Sequence, residues 1–306
     1  MIRTFDAAEF APAALAAAKG DQRISVCLPA RDEESTVGAI VEAVRTELVE
    51  RVRLVDELLV IDDHSTDHTA RVARDAGARV IQASSVLPGY VSGPGKGEAL
   101  WRSLFESDGD LVVWCDADVQ NFDPSYVVAL AGPLLTRPDV GFVKGFYERP
   151  LHNGRDGGGR VTELVARPAL ALLFPQLTSV VQPLAGEYAG RRELLEQLPF
   201  VGGYGVDVGL LIDTAERFGL DALAQVDLGT RVHRNRSLAE LAPQATAVLQ
   251  AILSRAAPEA ISASATLLRP HELPMDVEAT ELPPLVTVPE YGRPGLRRTG
   301  SSELGA

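Results

Sequence analysis

Four short apolar runs, each closed by a polar loop and separated by stretches with apolar residues at helical spacing, constrain this chain more than any other feature of it. The runs at residues 24–29, 57–61, 78–81 and 111–115 are of strand length, and the intervening stretches at 36–48, 69–76 and 98–107 carry the helical period. A strand that returns parallel to its predecessor needs a crossover, which a helix supplies, so this alternation predicts an α/β fold with a mainly parallel sheet. The pattern extends to a helix between residues 124 and 135 and a strand at 140–144.

Beyond Tyr147 the texture changes. Residues 152–160 form a Gly-rich loop, the remainder reads mostly helical apart from a strand-like segment at 223–228, and residues 237–256 make one more amphipathic helix. Past it Pro270, Pro274, Pro283, Pro284, Pro289 and Pro294 interrupt every regular period. The expected organisation is an N-terminal segment at 1–20, a first half at 21–145, a second, mostly helical half at 146–256 and an extended arm or disordered tail at 257–306.

With 46% hydrophobic and 23% charged residues, the 306-residue chain has the composition of a globular protein. Its 29 basic and 42 acidic residues leave a formal net charge of −13. That argues against general affinity for nucleic acid or an anionic membrane, and any anionic ligand must meet a local basic cluster. No apolar run reaches the roughly 18 residues of a membrane helix. The N-terminal stretch carries Asp6 and Glu9 instead of the basic start of a signal peptide, so a cytoplasmic protein without a transmembrane segment is expected. Cys27 and Cys115 sit in apolar runs, as buried thiols do.

In an open parallel sheet, ligands bind past the carboxyl ends of the strands. Three of the loops there are acidic: Pro29-Ala30-Arg31-Asp32-Glu33-Glu34, Asp62-Asp63-His64-Ser65-Thr66-Asp67 and Asp116-Ala117-Asp118. An Asp-x-Asp triplet on extended chain presents both carboxylates to one side, which suits a hard divalent cation that bridges to phosphate oxygens. Asp108-Gly109-Asp110 has the same spacing but precedes its strand, where it reads as a solvated turn. Gly93-Pro94-Gly95-Lys96-Gly97 does not satisfy the phosphate-loop pattern, because Gly89 and Gly95 enclose five residues and a glycine follows the lysine. Lys96, at a helix entrance, either approaches a ligand diphosphate or stays in solvent. After the strand at 223–228, Arg231, Arg234 and Arg236 flank His233, which is either structural or a third metal ligand beside the carboxylates.

The ordered set Pro29-Ala30-x-x-Glu33-Glu34, Ile61-Asp62-Asp63-x-Ser65-Thr66-Asp67, Gly95-Lys96-Gly97 and Asp116-Ala117-Asp118 resembles the glycosyltransferases of the GT-A fold. Gly158-Gly159-Arg160-Val161-Thr162-Glu163-Leu164, Gln182-Pro183-Leu184-Ala185-Gly186-Glu187-Tyr188, Gly203-Tyr204-Gly205-Val206-Asp207-Val208-Gly209-Leu210 and His233-Arg234-Asn235 narrow the resemblance to the glucosyl-3-phosphoglycerate synthases of actinobacteria. The resemblance covers residues 22–255. It implies a nucleotide-sugar-binding first half and an acceptor-binding second half. The implied reaction moves glucose with retention from UDP-glucose to 3-phosphoglycerate, with Mg²⁺ or Mn²⁺, in methylglucose lipopolysaccharide precursor synthesis by a homodimer.

Carried over by position, the resemblance gives donor-binding roles to Pro29, Ala30, Glu33, Asp63, Lys96, Asp116, Ala117, Asp207 and Arg231. Gly159, Arg160, Thr162 and Asn235 would hold the acceptor's phosphate and carboxylate. Asp118 and His233 would hold the metal, and Asp118, Asp207, Lys96 and Arg231 would carry the chemistry. An Arg fork and a hydroxyl near a helix N-terminus suit such an anion independently of the resemblance. The family commonly has Leu-Asn where Arg31-Asp32 stands and Glu where Asp207 stands, and both departures touch donor recognition. A transferase acting on another nucleotide-sugar or on polyprenyl phosphate would share the donor motifs, but a lipid acceptor calls for an apolar groove or membrane helices. A sugar nucleotidyltransferase calls for a basic Gly-rich loop after the first strand, where this chain is acidic.

Overall fold

The computed structural model describes residues 2–91, 93–148, 159–231, 238–262, 264–269, 273–278 and 280–292. Two elements precede the strand that the sequence placed first: β1 (Arg3–Asp6) and α1 (Pro12–Ala18). Then β2 (Ile24–Ala30), α2 (Val37–Val44), β3 (Glu57–Asp62), α3 (Thr69–Asp75), β4 (Arg79–Gln82), α4 (Lys96–Glu106) and β5 (Leu111–Trp114) follow in the predicted alternation. The helix expected over 36–48 leaves α geometry after Val44 and continues as a wider π-helical turn to Arg51. Next come α5 (Ser125–Thr136), β6 (Phe142–Glu148), α6 (Arg167–Leu173), β7 (Tyr188–Arg191), α7 (Arg192–Leu195), β8 (Phe200–Val201), α8 (Val206–Phe218), β9 (Leu223–Thr230) and α9 (Leu238–Ala256). The chain closes with β10 (Ser264–Leu267), β11 (Met275–Glu278) and β12 (Glu281–Leu282).

Among the described residues one eight-stranded sheet runs in the order β1-β9-β6-β7-β5-β2-β3-β4. Only β7 opposes its neighbours, β5 and β6; the other pairs are parallel. Successive side chains of a strand point to opposite faces, and in a covered sheet both faces are apolar. Ile24, Val26 and Leu28 of β2 and Leu111 and Val113 of β5 accordingly join a core with α2 and α5. Cys27, Val112 and Trp114 join the opposite one with α4 and α8. Both cysteines are free and buried, and burial pushes the Cys27 thiol up to about 12. No described helix is long and apolar enough to cross a membrane.

Residue 145 does not divide this sheet. Strands β7 and β9 from beyond it, and β1 from the N-terminal segment, stand beside those of the first half, so the second half, mostly helical among its described residues, also completes the sheet. A Gly-rich loop signals a long connection, but not whether the chain afterwards rejoins the sheet. Of the C-terminal stretch, the described residues at 280–292 pack on the body of the fold. There β12 pairs with β8, Trp101 Nε1 donates to the Pro283 carbonyl at 2.8 Å, and Leu282, Leu285, Val288 and Tyr291 are buried in the second core.

The topology opens a crevice at one place. From β2 the chain moves outward through β3 and β4, then returns to β5 on the other side of β2. β3 follows β2 as far as Ala30↔Asp62, whereas β5 accompanies it only to Cys27↔Trp114. Beyond Cys27 the loops after β2 and β5 therefore diverge, as they do where strand order reverses in nucleotide-binding sheets.

Candidate active site

The acidic loops around the crevice would repel one another without donors between them. Asp32, at φ 56°, accepts from the Thr66 N–H at 2.7 Å and the Thr66 hydroxyl at 3.1 Å, while its own N–H donates to Ser65 Oγ at 3.0 Å. The Glu33 N–H donates to Thr69 Oγ1 and the Glu34 N–H to Asp67 Oδ2. Thr36 Oγ1, at the start of α2, donates to the Ala117 carbonyl at 2.7 Å and so fixes the Asp-x-Asp loop. Asp63 is buried, which pushes its carboxyl up, and its Oδ2 accepts from the Gly95 N–H at 2.9 Å, tying the second loop to the entrance of α4.

These loops enclose a cleft of about 440 Å³. Pro29, Ala30, Glu33, Asp63, Lys96, Asp116, Ala117 and Asp118 line it together, although they come from four separate stretches of chain. Arg31, Asp32, Gly203 and Tyr204 line it as well. Asp108 and Asp110 do not: they stand at the amino end of β5, where Asp110 Oδ2 accepts from the Arg23 N–H at 2.8 Å. Strand direction separates the two Asp-x-Asp triplets, as the sequence implied.

Asp207 and Arg231 meet the cleft through its charged residues. Lys96, the first residue of α4, places its ammonium 3.0 Å from Asp116 Oδ1 and 3.2 Å from Asp207 Oδ1. Burial opposes its charge, but Asp116 and Asp207 outweigh that and keep Lys96 protonated well above the usual range. Arg231, 4% exposed just past β9, donates to Asp118 Oδ1 at 2.8 Å, to Asp116 Oδ2 at 3.2 Å, to Glu187 Oε1 at 2.5 Å and to the Tyr147 hydroxyl at 2.8 Å. Against the penalty of burial, Lys96 and Arg231 hold the Asp116 carboxyl well below the usual carboxylate range. Glu187 is fully buried, and burial raises its carboxyl although Arg231 opposes the rise. Asp207 lies in the first turn of α8.

Among the described residues, Lys96 and Arg231 are the cations that pair with Asp116, Asp118, Glu187 and Asp207. Asp116 and Asp118 offer hard oxygen donors, and coordination positions beyond them suit diphosphate oxygens, so the donor set fits Mg²⁺ or Mn²⁺. Among the described residues no group of three His, Cys, Asp or Glu side chains is placed to hold an ion by itself. His233 and Asn235 lie outside the described residues. Gly159, Arg160 and Thr162 open the helical stretch before α6, with Arg160 exposed and Thr162 buried, and do not line the cleft.

Glu187, Tyr147 and Lys144 carried no assigned role in the sequence reading. A signal was present for Lys144, a lysine inside an otherwise apolar strand. Gly186 is required for packing: a Cβ there would overlap both carboxylate oxygens of Asp116. Gly186→Ala is expected to displace Asp116 and weaken Mn²⁺-dependent UDP binding by about 10–100-fold, the range seen when support around a metal ligand is lost. Calorimetric titration measures it, and unchanged affinity would show that Asp116 can move without consequence.

Comparison with known proteins covers most of the chain. Residues 25–198 match glycosyl transferase family 2. The chain is 43% identical over 289 residues to the glucosyl-3-phosphoglycerate synthase of Petrotoga mobilis, covering 89% of each protein. It is 54% identical over 250 residues to that of Mycolicibacterium paratuberculosis, covering 79% of this chain and 75% of the relative. Among solved structures, the glucosyl-3-phosphoglycerate synthase of Mycobacterium tuberculosis in complex with Mn²⁺, UDP-glucose and phosphoglyceric acid superposes with a TM-score of 0.84. That match has 46% identity and covers 93% of this chain and 98% of the other. The same enzyme with Mn²⁺, UDP and glucosyl-3-phosphoglycerate gives 0.82 at 44% identity, over 94% and 99% of the two chains.

Proposed function

The chain belongs to glycosyl transferase family 2 and, within it, to the glucosyl-3-phosphoglycerate synthases, and from that membership we propose that it transfers glucose from UDP-glucose to 3-phosphoglycerate, giving glucosyl-3-phosphoglycerate and UDP. The observation that carries the reading is the meeting of Lys96 and Arg231 with the Asp116-Ala117-Asp118 carboxylates at the mouth of the sheet crevice. It supplies cations and metal-type oxygen donors at the place where a nucleotide diphosphate enters.

Pro29, Ala30, Glu33 and Asp63 form the nucleotide side of the cleft. Asp118 and His233, with Asp116 beside them, would hold Mg²⁺ or Mn²⁺, which when bound neutralises charge on the departing diphosphate. Lys96 and Arg231 add fixed positive charge on the same side, already oriented by their carboxylates, so leaving-group stabilisation is the main contribution of these side chains. Asp207, held against Lys96, faces the sugar. Retention follows from attack on the leaving-group face, the acceptor hydroxyl passing its proton to the phosphate oxygen that leaves. Gly159, Arg160, Thr162 and Asn235 receive the acceptor's anionic groups. The enzyme acts as a cytoplasmic homodimer, which light scattering and cell fractionation check.

A matrix of nucleotide-sugars against 3-phosphoglycerate, glycerate and polyprenyl phosphate tests the reading. Release of UDP with glucosyl-3-phosphoglycerate and an α anomeric coupling supports it; a lipid-linked sugar or another preferred donor refutes it. Arg160→Lys tests the acceptor site, because a compact ammonium cannot make the paired bonds of a guanidinium fork to phosphate. The KM for 3-phosphoglycerate is expected to rise by the equivalent of about 1.5–3 kcal/mol with UDP-glucose affinity unchanged. Equal impairment with glycerate would remove Arg160 from the phosphate.

A further inference from the structure

One buried cation has no part in the reaction as described. Lys144, the third residue of β6, is 1% exposed, and among the described residues no carboxylate pairs with its ammonium. It donates to the Ala185 carbonyl at 2.7 Å and to the Asp207 carbonyl at 3.3 Å, and lies 4.3 Å from the centre of the Tyr188 ring. Both carbonyls belong to segments on which the cleft depends. Ala185 leads into Gly186, which abuts Asp116, and Glu187, which anchors Arg231. Asp207 lies in the first turn of α8 and pairs with Lys96.

Such a group is expensive to bury. Loss of hydration lowers the Lys144 ammonium to about 8, and attraction from Asp207, Glu187 and Asp116 does not offset it, with Lys96 adding repulsion. A methionine of similar length would fill the same space without that cost. What the methionine lacks is the pair of directed bonds that join two chain segments at one point on the sheet.

We propose that Lys144 is a positioning residue for glucosyl transfer: it draws the turn at residues 185–187 and the first turn of α8 onto β6 and so sets the spacing of Asp116, Arg231 and Asp207 across the cleft. The proposal rests on the transferase reading above. It predicts that the lysine serves the geometry of reaction more than the stability of the fold.

The test compares full-length Lys144→Met and Lys144→Gln with wild type. Three measurements are needed: steady-state kinetics with UDP-glucose, Mn²⁺ and 3-phosphoglycerate, calorimetric UDP binding with Mn²⁺, and thermal unfolding. For Lys144→Met, kcat is expected to fall by about thirtyfold or more, as when reacting groups are misplaced by a fraction of an ångström. Both KM values and UDP affinity should stay within about threefold, since the shift is a fraction of an ångström and not the direct displacement of Asp116 that Gly186→Ala imposes, and the unfolding midpoint should be unchanged or higher. Lys144→Gln keeps an N–H donor toward Ala185 and should recover part of kcat. A folded Lys144→Met with kcat within about twofold of wild type overturns the proposal. So does a fall in the unfolding midpoint that parallels the loss of activity, or failure of both variants to fold, since each makes the lysine merely structural. Absence of glucosyl-3-phosphoglycerate from the wild-type reaction would overturn the transferase reading instead, and the wild-type assay tells the two failures apart.

Discussion

Asp118→Ala is expected to lower kcat/KM by at least about a hundredfold, the usual cost of removing one preorganised electrostatic group from a transition state, while leaving a cooperatively folded protein. Asp118 lies past the end of β5, its side chain 36% exposed, and its removal strands no buried charge because Arg231 keeps Asp116 and Glu187. With one of the two hard oxygen donors gone, the Mn²⁺ concentration for half-maximal activity should rise steeply. In wild type, excess EDTA should abolish transfer and added Mn²⁺ or Mg²⁺ restore it. Kinetics across a metal titration, with a thermal melt alongside, decide the matter. An active variant, or a wild type indifferent to EDTA, would remove the metal from this cleft.

Arg231→Met should be worse, because it damages fold and chemistry together. Arg231 is 4% exposed and Glu187 fully buried, so the substitution leaves a carboxylate in the interior without its cation. Breaking a buried pair in this way costs about 3–5 kcal/mol, and activity should vanish with it. The loss has a pH signature. Burial already raises the Glu187 carboxyl above its ordinary 4.5 while Arg231 pulls it down. Without the guanidinium it rises further, so the folded state holds a proton that the unfolded state has released. Stability is then greatest below the ordinary carboxylate range and falls as pH climbs through the raised value. Urea unfolding at about pH 5.5 and about pH 8 should show a larger deficit at the higher pH, and adding Glu187→Gln should relieve it without restoring transfer. A deficit independent of pH would mean that Glu187 is not the group left uncompensated.

Much of the cleft is legible in the sequence. Asp116 and Asp118 could be told from Asp108 and Asp110 by which end of the strand each pair occupies, since ligands gather at carboxyl ends. Lys96 could be placed at a helix entrance from the glycines before it. Asp32 was less transparent: its carboxylate fastens one loop to the next through Thr66, a partner that composition does not name.

Short-range pattern determined the strands, the helices and the acidic character of the loops, because periodicity and turn chemistry act between residues close in sequence. The tertiary structure alone decided that β1, β7 and β9 complete one sheet across residue 145, and that the proline-rich arm packs on the second core. It also decided that Lys144, Glu187 and Arg231 converge beneath the cleft. The energies responsible are those of burial and of charges forced to find partners out of water, and they depend on neighbours tens of residues away that no local period encodes.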